Sequence, residues 1–237
     1  MSRPDRSLVI VPTYNERENV PAIARTVHQC APDVDVLFVD DNSPDGTGQV
    51  AAALAAAEPW VKVLHRSSKQ GLGTAYIAGF RQGLAEGYGY FVEMDADFSH
   101  DPAYLPEMLR LARTQADVVV GSRYAAGGGT GNWGFCRRLL SRMGSVYARS
   151  VLGVPISDLT AGFVCYRREV IERLDLEAIL SEGYSFQIEM KFRAVKAGFR
   201  VLEMPITFVD RRVGQSKMSG RIVLEALGTV WMLRLRS

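Results

Sequence analysis

An apolar run leads straight into a cluster of carboxylates over Tyr90 to Pro102, read Tyr-Phe-Val-Glu-Met-Asp-Ala-Asp-Phe-Ser-His-Asp-Pro. Side chains two apart on a strand project to the same side, about 7 Å apart along the backbone, so Asp95 and Asp97 can converge on one cation where the strand ends. Like charges so placed repel unless something positive sits between them. Asp101 has a plainer reading. It stands before Pro102, the pattern of a helix cap followed by the first helical residue. An Asp-x-Asp pair alone also fits an acidic turn, so its weight comes from the elements around it.

Those elements alternate. Leu8 to Val11, Val34 to Val39, Trp60 to Leu64, Tyr90 to Met94 and Asp117 to Val120 are short apolar runs of the kind that form buried parallel strands. Helices are expected between them, at about Glu16 to Cys30, through the alanine-rich segment ending near Glu58, from Gly71 to about Glu86, and from Pro102 to about Arg113. Five such alternations predict an α/β fold whose parallel sheet is covered on both faces. Ligands of such sheets bind outside the carboxyl ends of the strands. The loops Pro12 to Glu16, Asp40 to Gly46, Asp95 to Ser99 and the segment at Arg123 all fall on that edge, where one crevice can hold them. Gly71-x-Gly73 follows the third strand and is not the Gly-x-Gly-x-x-Gly fingerprint of dinucleotide enzymes, which argues against redox chemistry. It fits a helix-opening turn as well as a phosphate cradle.

The 237 residues can form one sizeable domain, and nothing in them reads as a linker. A net charge of +2 gives no overall drive toward nucleic acid. Cys30, Cys136 and Cys165 are too few and scattered for a disulfide framework or a Cys-x-x-Cys metal site, so a reducing compartment is expected. No apolar run reaches the ~20 residues that span a bilayer, and no signal-peptide core is evident. The chain is expected to be soluble or peripheral.

The character changes after Gly127. Trp133 to Leu152 interleaves Trp133, Phe135, Leu139, Leu140, Met143, Val146, Tyr147, Val151 and Leu152 with Arg137, Arg138, Arg142 and Arg149. This predicts an amphipathic helical hairpin over about 131–153, with either a core-facing or a membrane-facing apolar side. Farther on, Val201 to Val209 is strand-like with Pro205 interrupting it. Asp210 to Lys217 is a basic turn whose guanidinium and ammonium groups suit phosphate. An amphipathic helix from Ile222 to about Leu235 ends the chain.

Eight blocks together resemble the dolichyl-phosphate and polyprenyl-phosphate mannosyltransferases, inverting GT2 glycosyltransferases with the GT-A fold. They are Val11-Pro-Thr-Tyr-Asn-Glu-Arg-Glu-Asn, Val39-Asp-Asp-Asn-Ser-Pro-Asp-Gly-Thr, Gly71-Leu-Gly-Thr-Ala-Tyr, Met94-Asp-Ala-Asp-Phe-Ser-His, Gly121-Ser-Arg-Tyr, Ser157-Asp-Leu-Thr-Ala-Gly-Phe, Gly183-Tyr-Ser-Phe-Gln-Ile-Glu-Met, and Phe208-Val-Asp-Arg through Ser216-Lys217. They stand in family order and cover almost the whole chain.

The resemblance implies transfer of mannose from GDP-mannose to polyprenyl or dolichyl phosphate. It places Pro12, Tyr14, Glu16, Phe38 and Asp40 at the nucleotide, with Asp40 accepting hydrogen bonds from base or ribose. Asp95 and Asp97 hold a divalent ion on the diphosphate, Ala96 brings backbone close to the nucleotide, and Ser99 replaces a glutamine that some relatives use as third metal ligand. Hard oxygen donors suit Mg2+ or Mn2+. Arg123, Arg137, Ser141 and Arg211 match groups that receive the lipid phosphate or diphosphate, and Lys217 belongs to a loop, about 210–220, that closes over the donor. Asp97, Arg211 and Lys217 are the expected catalytic groups. His100, Asp158 and Glu189 are given no proton transfer, because the attacking phosphate is already ionised near neutral pH. The resemblance also favours the membrane-facing reading of the basic segment. It implies peripheral attachment to the cytoplasmic face of a membrane, with room for a separate anchoring partner. A related transferase using UDP-glucose or another donor, and a non-catalytic nucleotide-sugar-binding scaffold, are the alternatives.

Overall fold

The computed structural model describes residues 5–131, 133–179, 181, 183–209 and 228–235, with Cys136 and Tyr184 described in their backbone only. Arg211, Lys217 and the rest of the expected closing loop lie outside the described residues.

The expected alternation is present. Strands β1 (Ser7–Thr13), β2 (Val34–Asp40), β3 (Val61–His65), β4 (Tyr90–Glu93) and β5 (Val118–Ser122) are separated by helices α1 (Asn19–Cys30), α2 (Thr47–Ala57), α3 (Leu72–Ala85) and α4 (Leu105–Thr114). Alternate residues of each strand feed opposite layers. Val9, Val11, Val36 and Phe38 pack under α1, α2 and α4, while Leu8, Ile10, Leu37 and Val39 pack under α3 and its neighbours. Asp101 caps the turn Pro102–Tyr104 that opens α4, its Oδ1 accepting from the Ala103 N–H at 2.9 Å.

Beyond β5 come β6 (Gly129–Thr130), α5 (Phe135–Leu152), β7 (Val164–Arg167), α6 (Arg168–Arg173), α7 (Gly183–Lys196), β8 (Val201–Pro205) and β9 (Thr207–Phe208). The main sheet runs β3-β2-β1-β4-β7-β5-β8. It is not wholly parallel, because β7 lies antiparallel between β4 and β5. After β5 the chain stays at the carboxyl edge through α5 and enters β7 from that edge, so the strand must run backward. Pro205 ends β8, and β9 pairs with β6 instead.

The segment expected as a hairpin is one continuous helix of 18 residues, α5. Gly144 and Ser145 do not break it, and the helix ends at Gly153, whose φ of 67° suits glycine. Its packing partner is the helix at residues 228–235, α8. Ala148 and Leu152 of α5 join Val230 and Leu233 of α8, and Ile188 and Phe192 of α7, in a third apolar cluster. Phe135, Leu139, Leu140, Met143 and Val146 of α5 and Trp231, Met232 and Leu235 of α8 remain exposed.

Candidate active site

A cleft of about 450 Å3 opens at the carboxyl ends of the strands. One wall carries Pro12, Tyr14, Glu16 and Asp41, the floor Asp95, Ala96, Asp97, Ser99 and His100, and the far wall Arg123, Trp133, Arg137, Thr160, Ala161 and Gly162. The fold thus brings Pro12, Tyr14, Glu16, Asp95, Ala96, Asp97, Ser99, Arg123 and Arg137 to one place, as the sequence predicts.

The floor is shaped by a tight reversal after β4. Phe98 has φ 62°, an unusual value for a residue with a side chain, and it folds the chain back so that the Ser99 N–H donates to Asp97 Oδ1 at 3.0 Å. The Asp95 N–H donates to His100 Nδ1 at 3.1 Å, which leaves Nε2 as the protonated ring nitrogen. His100 is buried, stacked on the Phe163 ring at 5.1 Å, and supports the floor. Ser99 Oγ is buried without a hydrogen-bond partner among the described residues. A buried hydroxyl so left has an acceptor lone pair to offer. Two carboxylates and this hydroxyl fit a divalent ion of Mg2+ or Mn2+ type whose remaining positions go to phosphate oxygens and water. Among the described residues there is no cluster of three His, Cys, Asp or Glu side chains able to hold a metal by themselves.

On the wall that carries Pro12 and Tyr14, the two aspartates at the end of β2 face different ways. Phe38 is fully buried in the core, and the Asp40 carboxylate is turned away from the cleft. Asp40 is captured by Thr13 Oγ1 at 3.3 Å, the Ser43 N–H at 3.2 Å and Ser43 Oγ at 2.5 Å. Asp41 faces the cleft instead. Arg66 Nη1 sits 2.8 Å from Asp41 Oδ1, an ion pair without hydrogen-bond alignment, both side chains being 8% exposed. Burial raises the Asp41 carboxyl above its ordinary value and Arg66 partly offsets it. Lys69 Nζ lies 3.8 Å from the centre of the Tyr14 ring at the mouth. Gly71, with φ 100°, opens α3 beside the cleft, while a Cβ on Gly73 would meet the Phe186 ring at 2.8 Å. Close packing against α7 therefore accounts for Gly73.

The far wall is a stack of cations and rings. Arg123 lies 5.5 Å from the Trp133 and Phe208 ring centres, and Arg137 lies 4.1 Å from Trp133. Trp133, expected on the apolar face of the amphipathic segment, is buried here instead, because it precedes α5 and turns back onto Phe208. Arg123 is itself held by Asp158, with Nε and Nη2 donating at 2.7 and 2.6 Å, and by Thr160 Oγ1 at 2.8 Å. Burial alone would raise the Asp158 carboxyl, but the Arg123 charge and hydrogen bonds hold it below its ordinary value. Ser141 stands back from this wall, its Oγ accepting from Tyr124 OH at 2.7 Å. Glu189 accepts from Ser181 and Arg193 and is structural. Asp41, Arg66, Lys69, Trp133 and Thr160 were not expected as site residues; Asp41 carried a signal in its place beside Asp40 at a strand end, and Thr160 in its place within a block shared with the resembling family.

The sequence signature of "Glycosyl transferase family 2" matches residues 8–175. The chain is 53% identical to the polyprenol monophosphomannose synthase of Mycolicibacterium smegmatis, over 98% of this chain and 88% of that protein. It is 52% identical to the undecaprenyl-phosphate mannosyltransferase of Micrococcus luteus, over 98% of this chain and 96% of that one. Its fold is similar to that of a mannosyltransferase from Pyrobaculum calidifontis solved with GDP-Man and Mn2+, with TM-score 0.62 and 18% identity over 98% of this chain and 64% of that chain. A mostly parallel sheet with helices on both faces and a cleft at its carboxyl edge is the GT-A arrangement, and the chain belongs to glycosyl transferase family 2.

Proposed function

We propose that this chain transfers mannose from GDP-mannose to a polyprenyl phosphate, with inversion, giving β-linked polyprenyl-phosphate mannose and GDP. The observation that carries the reading is the opposition of charge across one cleft: carboxylates Asp41, Asp95 and Asp97 on one side, guanidiniums Arg123 and Arg137 on the other. The names and identity of the two curated relatives support the mannose donor and the lipid acceptor.

Asp95, Asp97 and Ser99 would hold the divalent ion. When bound, it supplies positive charge for the departing diphosphate. Tyr14, Glu16 and Asp41 line the end that takes the nucleoside, with Asp41 replacing Asp40 as the acceptor for a base N–H. Arg123 and Arg137 receive and orient the acceptor phosphate, with Ser141 behind them steadying Tyr124. A phosphate monoester with a second pKa near ~6 is mostly ionised at neutral pH, so the attack needs no general base. Arg211 and Lys217, outside the described residues, are assigned to the leaving diphosphate by resemblance alone.

The exposed apolar stripe of α5, continued by Trp231, Met232 and Leu235, is flanked by exposed Arg138, Arg142 and Arg149. Such a surface suits a bilayer interface with anionic lipids. It supports peripheral attachment to a membrane surface, beside the wall of the cleft that carries Arg137; the cytoplasmic face is assigned by resemblance alone. Among the described residues no helix is long and apolar enough to cross a membrane.

The test is incubation with radiolabelled GDP-mannose or UDP-glucose, polyprenyl phosphate and Mg2+ or Mn2+, followed by extraction into organic solvent. Label from GDP-mannose alone, abolished by chelator, is the expected result. Label from UDP-glucose would reassign the donor, and no label from either would remove the proposal.

A further inference from the structure

Lys191 of α7 is fully buried, one layer behind the cleft. Its Nζ donates to Leu159 O at 3.1 Å, Ala161 O at 2.6 Å and Gln187 O at 3.0 Å, and lies 3.2 Å from Gln187 Oε1. An ammonium has three donors, and here all of them are directed at acceptors. Lysine is almost never fully buried unless paired, because removing its charge from water is costly. Methionine would fill the same space without that cost. The ammonium does something methionine cannot: it ties two carbonyls of the turn at residues 158–162 to the first turns of α7.

That turn is the support of Arg123. Asp158 takes the guanidinium through two hydrogen bonds, and Thr160 takes a third. Asp158 is fixed from the other side by Glu203, which accepts from the Ser157 and Asp158 N–H groups at 2.8 and 2.9 Å. Thr160, Ala161 and Gly162 also line the cleft beside Arg123. The chain of contacts from Lys191 to the Leu159 and Ala161 carbonyls, to the turn, to Arg123 is short and made of buried hydrogen bonds.

We infer that Lys191 is a positioning residue for the acceptor end of the cleft, clamping the 158–162 turn so that Arg123 presents its guanidinium to an incoming phosphate monoester. The inference rests on the acceptor named above. Lys191 touches no substrate; it acts through two backbone carbonyls and the turn they belong to. Its loss therefore acts chiefly on acceptor binding; the nucleotide end, built on β1, β2 and the loop after β4, feels it through the buried Glu93 carboxyl at the end of β4, which the Lys191 charge holds down against burial.

The experiment compares wild type with Lys191→Met, Lys191→Gln and Thr160→Val. Hydrogen exchange of residues 158–162 is expected to quicken in Lys191→Met while the β1 and β4 amides keep their protection. The KM for polyprenyl phosphate is expected to rise about tenfold with the KM for GDP-mannose within about twofold. Lys191→Gln, which retains two donors, falls between. Thr160→Val, which loses one Arg123 bond and leaves Lys191 in place, shows the same acceptor-selective defect. Combined with Lys191→Met, it adds less than its single effect. Equal rises in both KM values, or unchanged exchange at 158–162, would overturn the inference. Should Lys191→Met fail to fold, Lys191→Gln decides it by the same split and the same exchange measurement. A wild-type protein without mannosyl transfer sinks the proposed function, whereas the exchange result still decides whether Lys191 clamps the turn.

Discussion

Arg123 and Asp158 form a two-pronged ion pair, Nε and Nη2 of the one donating at 2.7 and 2.6 Å to the two oxygens of the other, with Arg123 7% and Asp158 0% exposed. The pair joins the end of β5 to the turn after α5. Asp158 holds one edge of the guanidinium while Arg123 lines the cleft, so the same residue is structural on one side and ligand-facing on the other.

Removing one partner leaves a buried charge uncompensated. Asp158→Ala is expected to cost about 3–5 kcal/mol in folding stability, measured by urea unfolding at neutral pH. The double replacement Arg123→Met with Asp158→Leu should recover most of that loss while abolishing acceptor binding. A single variant no less stable than wild type would show the pair to be solvated.

The same pair sets an acid limit. The folded Asp158 carboxyl titrates below its ordinary value, so between that depressed value and about 3.9 the unfolded chain binds the extra proton. Stability from this group is fully present above about pH 4 and is lost as pH falls through the folded value. Urea midpoints from pH 5 down to 2 should converge for wild type and Asp158→Asn; parallel curves would refute the assignment.

Asp40 and Asp41 should separate in their effects. Asp41→Asn is expected to weaken GDP binding at least ~10-fold by calorimetry, because the carboxylate facing the cleft is gone, and also to cost stability, because the buried Arg66 loses its charge partner. Asp40→Asn is expected to cost about 1 kcal/mol or more of stability through lost bonds to Thr13 and Ser43, with GDP binding nearly kept. The reverse pattern would return the nucleotide role to Asp40.

Ser99→Ala removes a hydroxyl with no partner among the described residues, so it should leave the melting temperature within a degree or two of wild type. The metal concentration for half-maximal activity should rise several-fold if that oxygen is a ligand. Asp97→Ala, which also frees the Ser99 N–H, should abolish turnover. An unchanged metal requirement in Ser99→Ala would leave only the two aspartates at the ion.

Membrane binding should follow exposure. Leu139→Asn with Met143→Asn is expected to cut partitioning onto anionic vesicles by about tenfold or more, since each large apolar side chain is worth about 1.5–3 kcal/mol when buried. Trp133→Ala should instead lower stability and acceptor affinity, its ring being buried against Arg137 and Phe208. Equal vesicle binding by the double variant would remove the membrane-facing role of α5.

What depends on neighbours along the chain was legible in the order of residues. Strand and helix order came from apolar runs and their spacing, the Asp101-Pro102 cap from local chemistry, and the pairing of Asp95 with Asp97 from the two-residue repeat of an extended strand. The tertiary structure decided which side of a residue meets what. Asp40 and Asp41 are adjacent and chemically identical, and only the approach of Thr13 and Ser43 turns one inward and leaves the other for the cleft. β7 runs backward because the chain returns from α5 on the carboxyl edge, a choice made over some forty intervening positions that no local pattern encodes. Lys191 sits in a helical run where a lysine ordinarily reaches solvent. Its burial follows from carbonyls about thirty residues upstream, brought within 3.1 Å by the packing of α7 against the sheet.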